Sequence, residues 1–309
     1  MRNAAIVVLS LMFFASCASQ HPARLENDED WNRFADELRE RPPQEIAHRL
    51  AKALPEVTKF SDADSCHRHF AQLWGLALNF DEHAKGVIVA KPIIHALSAL
   101  AAVASPSEES EENRIEGDVV HAGIQHSFGY LLSTLHTPFG YKRARWIYGE
   151  IERGFALPIG LLRPASSDGD FFCNVSFLMA KLARFKRLPP HHEGVAKALY
   201  SLNFEKLGAT RIEEVVHIGS SRTVFLRTDL IAFQRQGEKD ANSHLLVYSV
   251  LDSEVDEPRL ISAFPVGPKM VGGLLAGPFG DDVLVTTRYN AFVPGVSGRQ
   301  QAGSRRIVQ

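Results

Sequence analysis

The chain has little cysteine, three residues in 309, and no apolar run long enough to cross a bilayer. A membrane-spanning helix needs about 20 such residues. Three cysteines exclude a disulfide scaffold, and the short runs exclude a polytopic membrane protein. Neither sign of charge dominates, with 34 Lys+Arg against 36 Asp+Glu and a formal charge of −2. That balance gives no reason to expect nucleic acid as the main partner. The 22 Gly and 16 Pro are too few and too scattered for a fibrous or low-complexity chain. Also missing are a phosphate-binding glycine loop, a dinucleotide fingerprint, paired CxxC motifs and HExxH. No cofactor and no metal site is therefore assigned. What is present is ordinary globular material, 45% hydrophobic and 23% charged. The length suits one large domain or two modest ones.

The first 20 residues read MRNAAIVVLSLMFFASCASQ. Arg2 precedes an apolar run from Ala4 to Ala15, and small residues follow it. A positive start, a short apolar core and small residues form the pattern of a secretion signal. Phe14-Ala15-Ser16-Cys17 resembles the lipobox of bacterial lipoproteins. The resemblance implies cleavage before Cys17 and lipidation of Cys17. It also implies a chain held on the membrane by its acylated N-terminus, because multiple acyl chains anchor stably where one is marginal. In that family an Asp after the Cys favours retention at the inner membrane in some bacteria. Ala18 stands there instead. The expected location is the bacterial cell envelope, at the outer membrane facing the periplasm. Cleavage after Ala18 is the competing reading and gives a secreted or soluble periplasmic protein. A retained membrane anchor is a third.

Lipidation of Cys17 leaves Cys66 and Cys173. In an oxidising compartment this even pair is a candidate disulfide. The other reading is two buried free thiols, since free cysteine packs as a core residue.

Residues 18–27 are small and polar and read as a tether. Helical periodicity follows: Trp31, Phe34 and Leu38, then Ile46, Leu50 and Leu54 after Pro42-Pro43. Residues 92–104 read as a buried helix, 105–118 as an acidic loop and 119–135 as helix-like. Residues 143–155 and 171–185 predict two more helices, and 193–202 a short last one. From about Glu213 the period becomes two. Residues 223–233, 245–251, 259–266 and 283–289 predict strands with Gly/Pro punctuation between them. The expected fold is α+β, a mainly helical region over 28–205 followed by an antiparallel β region over 212–294. The four strands and their short connections suggest a meander. Residues 295–309 have little apolar content and read as a flexible tail.

Candidate chemistry is sparse. His121, His126 and His136 fall in one stretch, but a spacing of five does not bring two imidazoles onto one helix face. His126-Ser127-Phe128-Gly129 resembles part of the nucleophile elbow of serine hydrolases. Gln125 occupies the position where the cramped elbow requires Gly. Residues 139–153, FGYKRARWIYGEIER, interleave Tyr141, Arg143 and Arg145 with further aromatics. Arginine forks recognise carboxylates and phosphates, and aromatics stack on sugars. Tyr141, Arg143 and Arg145, with His121, His126 and His136, are thus the candidate ligand-binding residues. The matching ligand is an anionic glycan or lipid. The bland alternative is an amphipathic helix with solvated or paired arginines. Ser166-Ser167-Asp168-Gly169-Asp170 has the alternation of a calcium loop without its later Glu, and reads as a turn.

The function expected from the sequence is that of an exported envelope protein that binds a partner or an envelope component, either an envelope protein or an anionic glycan or lipid. An envelope hydrolase with a dispersed site near His126, Ser127 and His136 is the alternative. An assembly role, with the β half as docking surface, is a third reading.

Overall fold

The computed structural model describes residues 25–54, 93, 96, 129–134, 136–137, 140–141, 143–162, 171–186, 188, 197, 199, 202, 207–218, 220, 222–234, 242–252, 258–286 and 300–308. The first helix, α1 (Asp28–Arg39), begins where the Asn27 side chain accepts the backbone N–H of Asp30 at 3.0 Å. Three acidic residues in its first turn complement the helix dipole. Its buried stripe is Trp31, Phe34, Ala35 and Leu38. Helix α2 (Pro43–Ala53) has proline in its first turn, where no N–H is needed, and buries Ile46, Leu50 and Ala53. Both helices match the periodicity of the sequence.

A short 3-10 helix (Gly129–Leu132) precedes a two-stranded ladder of β1 (His136–Thr137) and β2 (Gly140–Tyr141). The single helix expected over 143–155 is two, α3 (Ala144–Ile147) and α4 (Glu150–Gly154). Gly149 breaks them at φ 72°, a left-handed conformation that costs glycine little. A Cβ there would also lie 3.0 Å from Ile159 Cγ2. Helix α5 (Phe171–Leu182) buries Val175, Phe177, Leu178, Met179 and Ala180, so it is apolar on more than one side and sits inside the core. It ends on a Schellman-type turn. Phe185 N–H donates to Ala180 O at 2.9 Å, and Arg184 takes φ 55°.

The C-terminal half forms one six-stranded antiparallel sheet in the order β6-β5-β4-β3-β8-β7. Its strands are β3 (Ala209–Ile218), β4 (Arg222–Gln234), β5 (Asn242–Asp252), β6 (Pro258–Val266), β7 (Gly280–Thr286) and β8 (Gln300–Val308). Of the four expected strands, β4, β5 and β6 form the meander; β3, not expected as a strand, extends it, and β7 lies at the far edge. The connection from β6 to β7 then runs from one edge of the sheet to the other and carries α6 (Pro268–Leu275), which the glycines at 272 and 273 disguise as a turn in the sequence. The expectation of a flexible tail over 295–309 is corrected for 300–308. These residues are β8, paired with β3 on one side and β7 on the other. Their scarce apolar content is offset by charge register, as Glu213 faces Arg306 and Glu214 faces Arg305 across the ladder.

Both faces of the sheet carry buried residues. Ile231, Leu245, Val247, Leu260 and Ala263 join the helices in one core. Ile212, Val216, Val224, Leu226, Leu246 and Tyr248 lie on the opposite face, with Val271 of α6 and Val285 of β7. The outer strands resist edge pairing. β6 has Pro258 and Pro265, and β7 has exposed Asp281 and Asp282 and a register shift between Gly280 and Val283.

Glu152 fastens the loop that follows α4. It is fully buried, and its Oε1 accepts the backbone N–H of Leu162 at 3.1 Å and of Gly160 at 3.3 Å. Asn174 of α5 donates to Leu161 O at 2.6 Å, so the same peptide group is held from both ends. Burial pushes the Glu152 carboxyl above its ordinary value, against the lowering effect of those N–H groups and of Arg153. The native chain therefore holds this proton more tightly than the unfolded chain does. The resulting stability is fully present below the ordinary glutamate value near about 4.3 and is lost as pH rises through the folded value. Asp229 is raised in the same sense by its burial. Glu152→Gln keeps an oxygen acceptor and removes the titration. Its urea midpoint should gain on wild type as pH rises from 4 to 7. A difference between the two that does not change with pH would contradict this.

Candidate functional site

The structure gathers His136, Tyr141 and Arg143 of the sequence-derived set. His136 is exposed on β1 and meets the Tyr141 ring edge-on at 4.9 Å between centroids. The Arg143 guanidinium lies 4.4 Å from the centre of the Tyr141 ring. Arg143 itself is fully buried. It donates to Leu131 O at 3.2 Å, to Ser133 O at 2.8 Å and to Asn32 Oδ1, and pairs with Asp28 Oδ1 at 3.0 Å. Asn32 Nδ2 in turn donates to Tyr141 Oη at 2.9 Å. Burial lowers the Arg143 guanidinium from its ordinary value, and Asp28 opposes that. This cluster ties α1 to the 3-10 helix and to β2. Four contacts within the chain hold the Arg143 fork, so its role here is internal. Arg145 lies on α3. Cys17, Cys66, His121, His126, Ser127, Asp168 and Asp170 lie outside the described residues. The backbone of Cys173 belongs to α5.

A second cationic arrangement lies on the sheet. Residues paired across antiparallel strands share a face, and alternate residues along a strand return to it. Arg227 of β4, Glu213 of β3 and Arg306 of β8 therefore form one row. Asp229 and Arg211 form the next row. All five share the face of Ile231 and Leu245, which the helices cover. Arg211 meets Asp229 through Nε at 2.8 Å and Nη2 at 3.2 Å. Its Nη2 also donates to Ala183 O at 2.6 Å, just past the C-terminus of α5. This pair seals the seam between helix and sheet.

The Glu213 row is looser. Arg306 donates to Glu213 Oε2 from Nε at 3.1 Å and from Nη2 at 2.7 Å. Arg227 Nε stands 3.3 Å from Glu213 Oε1. Two guanidinium groups thus share one carboxylate. The Arg306 side chain is 64% exposed, while Glu213 is largely buried. Burial and the positive charge of Arg211 lower the Arg227 guanidinium, and Arg306 adds to this, while Glu213 and Asp229 oppose it. Beyond this row the face opens. Leu284 of β7 is 60% exposed, and His217, Ala302 and Arg306 are exposed too.

Sequence reading missed Glu213, Arg227 and Arg306. A signal was available, because the Glu213-Glu214 dipeptide has its counterpart in Arg305-Arg306. Among the described residues no group of three or more His, Cys, Asp or Glu is placed to hold a metal ion. No described helix is long and apolar enough to cross a membrane. Comparison with protein-family models, with curated proteins and with solved structures finds no match for this chain.

Proposed function

We propose that this chain is an exported protein of the bacterial cell envelope, anchored through lipidated Cys17 and facing the periplasm from the outer membrane. It acts by binding a partner or an envelope component, foremost an anionic glycan or a lipid head group. Its architecture is α+β, a helical N-terminal half followed by the strand-rich half. The observation that carries the binding role is the open part of the sheet face. Across β8 and β7 that face carries exposed Ala302 paired with exposed Leu284, and exposed Arg306 four residues further along β8, about 13 Å away by the ordinary strand rise. A surface that mixes apolar and cationic groups suits an amphiphilic or anionic partner. The export half of the reading rests on the apolar run ahead of Ala15-Ser16-Cys17.

Protease accessibility tests the location. Protease added to intact cells should leave the chain whole, and permeabilising the outer membrane should expose it to cleavage. Cleavage only after the inner membrane is broken would place the chain in the cytoplasm and overturn the proposal.

A further inference from the structure

We propose that Arg227 and Arg306 form a binding subsite for a phosphoryl oxyanion at the margin of the helix-covered face of the sheet, where that face opens toward β8 and β7. The first ground is charge balance. Arg211 and Asp229 pair one to one through two contacts. Arg227 and Arg306 instead share the single carboxylate of Glu213. Among the described residues the row therefore carries one positive charge more than its carboxylate balances. Exposed Arg184, which acts electrostatically on Asp229, adds another beside it.

The second ground is geometry. Arg227 and Arg306 stand on strands separated by β3, about 9–10 Å apart at the backbone by ordinary strand spacing. Arginine side chains are long enough for two forks on that spacing to converge above the sheet. Arg227 Nε is 3.3 Å from Glu213, longer than the 2.7–2.9 Å of a good charge-assisted bond, and this buried N–H makes no hydrogen bond. Arg306 Nη1 makes none among the described residues either. A plain cross-strand ion ladder would place one carboxylate against each guanidinium. Here a donor set and a charge remain, and a group with several oxygens and a charge of −1 to −2 matches both.

The subsite itself rests only on this arrangement. Assigning its phosphoryl group to an envelope lipid head group rests on the function proposed above. The test uses the purified full chain in neutral detergent, with calorimetric titration by two probes. One is inorganic phosphate. The other is glycerophosphoglycerol, the deacylated head group of phosphatidylglycerol. Glycerol is the uncharged control. Both probes should bind, and Arg306→Gln should weaken each at least about tenfold, the loss of one charge-assisted contact. Arg306 is exposed, so its removal should leave the urea midpoint almost unmoved. Arg259→Gln, on the far strand β6, should bind as wild type does. Binding of inorganic phosphate alone would keep the subsite and overturn the lipid source. Binding that ignores Arg306→Gln, or no binding of either probe, would overturn the subsite. It would leave the export reading to be judged by protease accessibility.

Discussion

Replacing Arg305 by methionine should lower the unfolding free energy by about 3–5 kcal/mol, the usual cost of breaking a buried ion pair from one side. Arg305 Nε stands 3.2 Å from Glu214 Oε1, with the two side chains 8% and 2% exposed. The pair crosses from β8 to β3 on the face that α6 covers, among Ile212, Val216 and Val285. Arg305 also donates to Leu274 O at 2.6 Å, at the end of α6, and stacks on Phe279 at 4.8 Å. The same guanidinium thus fixes the last strand and the crossover helix. Its fit is close, since a Cβ on Gly277 would lie 1.8 Å from Arg305 Nη1. Methionine keeps most of the apolar stem and leaves Glu214 charged and buried. Adding Glu214→Met should then recover much of the loss, because an apolar pair of similar volume avoids the desolvation of both ions. Urea unfolding of the two single variants and the double variant measures this coupling. A cost under about 1 kcal/mol for Arg305→Met would mean that the pair is solvated, as surface pairs are.

Arg143→Lys should cost about 3 kcal/mol or more, although it keeps the charge. A lysine ammonium is a compact donor and cannot reproduce the planar fork that serves Leu131 O, Ser133 O and Asn32 Oδ1 together. Each buried acceptor left without a donor costs about 1–3 kcal/mol. The Asp28 contact contributes less, because the Asp28 side chain is 37% exposed and screened by water. The defect should also be local. Hydrogen exchange should quicken first in α1, where Asp28 and the Asn32 Oδ1 lose the Arg143 fork, while β4 and β5 keep their protection. Arg143→Lys with wild-type stability would show that the fork is not held as described.

These two arginines show how far the sequence can be read. The stretch around Arg143 has the look of a solvated amphipathic face. Its burial is decided by Asn32, 111 residues away in the chain, and no local pattern carries that. β8 shows the same limit. Its sequence, QQAGSRRIV, lacks the alternating apolar face that made β4 and β5 legible. Its place depends on two glutamates of β3 nearly 100 residues earlier, and on Gly303, where a Cβ would lie 2.1 Å from Val215 O. α1 and α2 were legible because apolar spacing, a cap and proline placement agree locally. The break at Gly149 was not, since Ile159 restricts that position from the following loop.

The candidate site divides along the same line. Exposed arginines cannot be told from buried ones in a basic run, so nothing local marks Arg143 as enclosed. The cationic surplus at Arg227 and Arg306 exists only once three strands are aligned.

Intact mass of the chain extracted from the membrane fraction, with wild type beside Cys17→Ser, tests the central claim most directly. The account predicts a wild-type chain that begins at Cys17 and carries added acyl mass, and a Cys17→Ser chain without it. An unmodified wild-type chain beginning at Met1 in the soluble fraction would contradict the export and the anchor together.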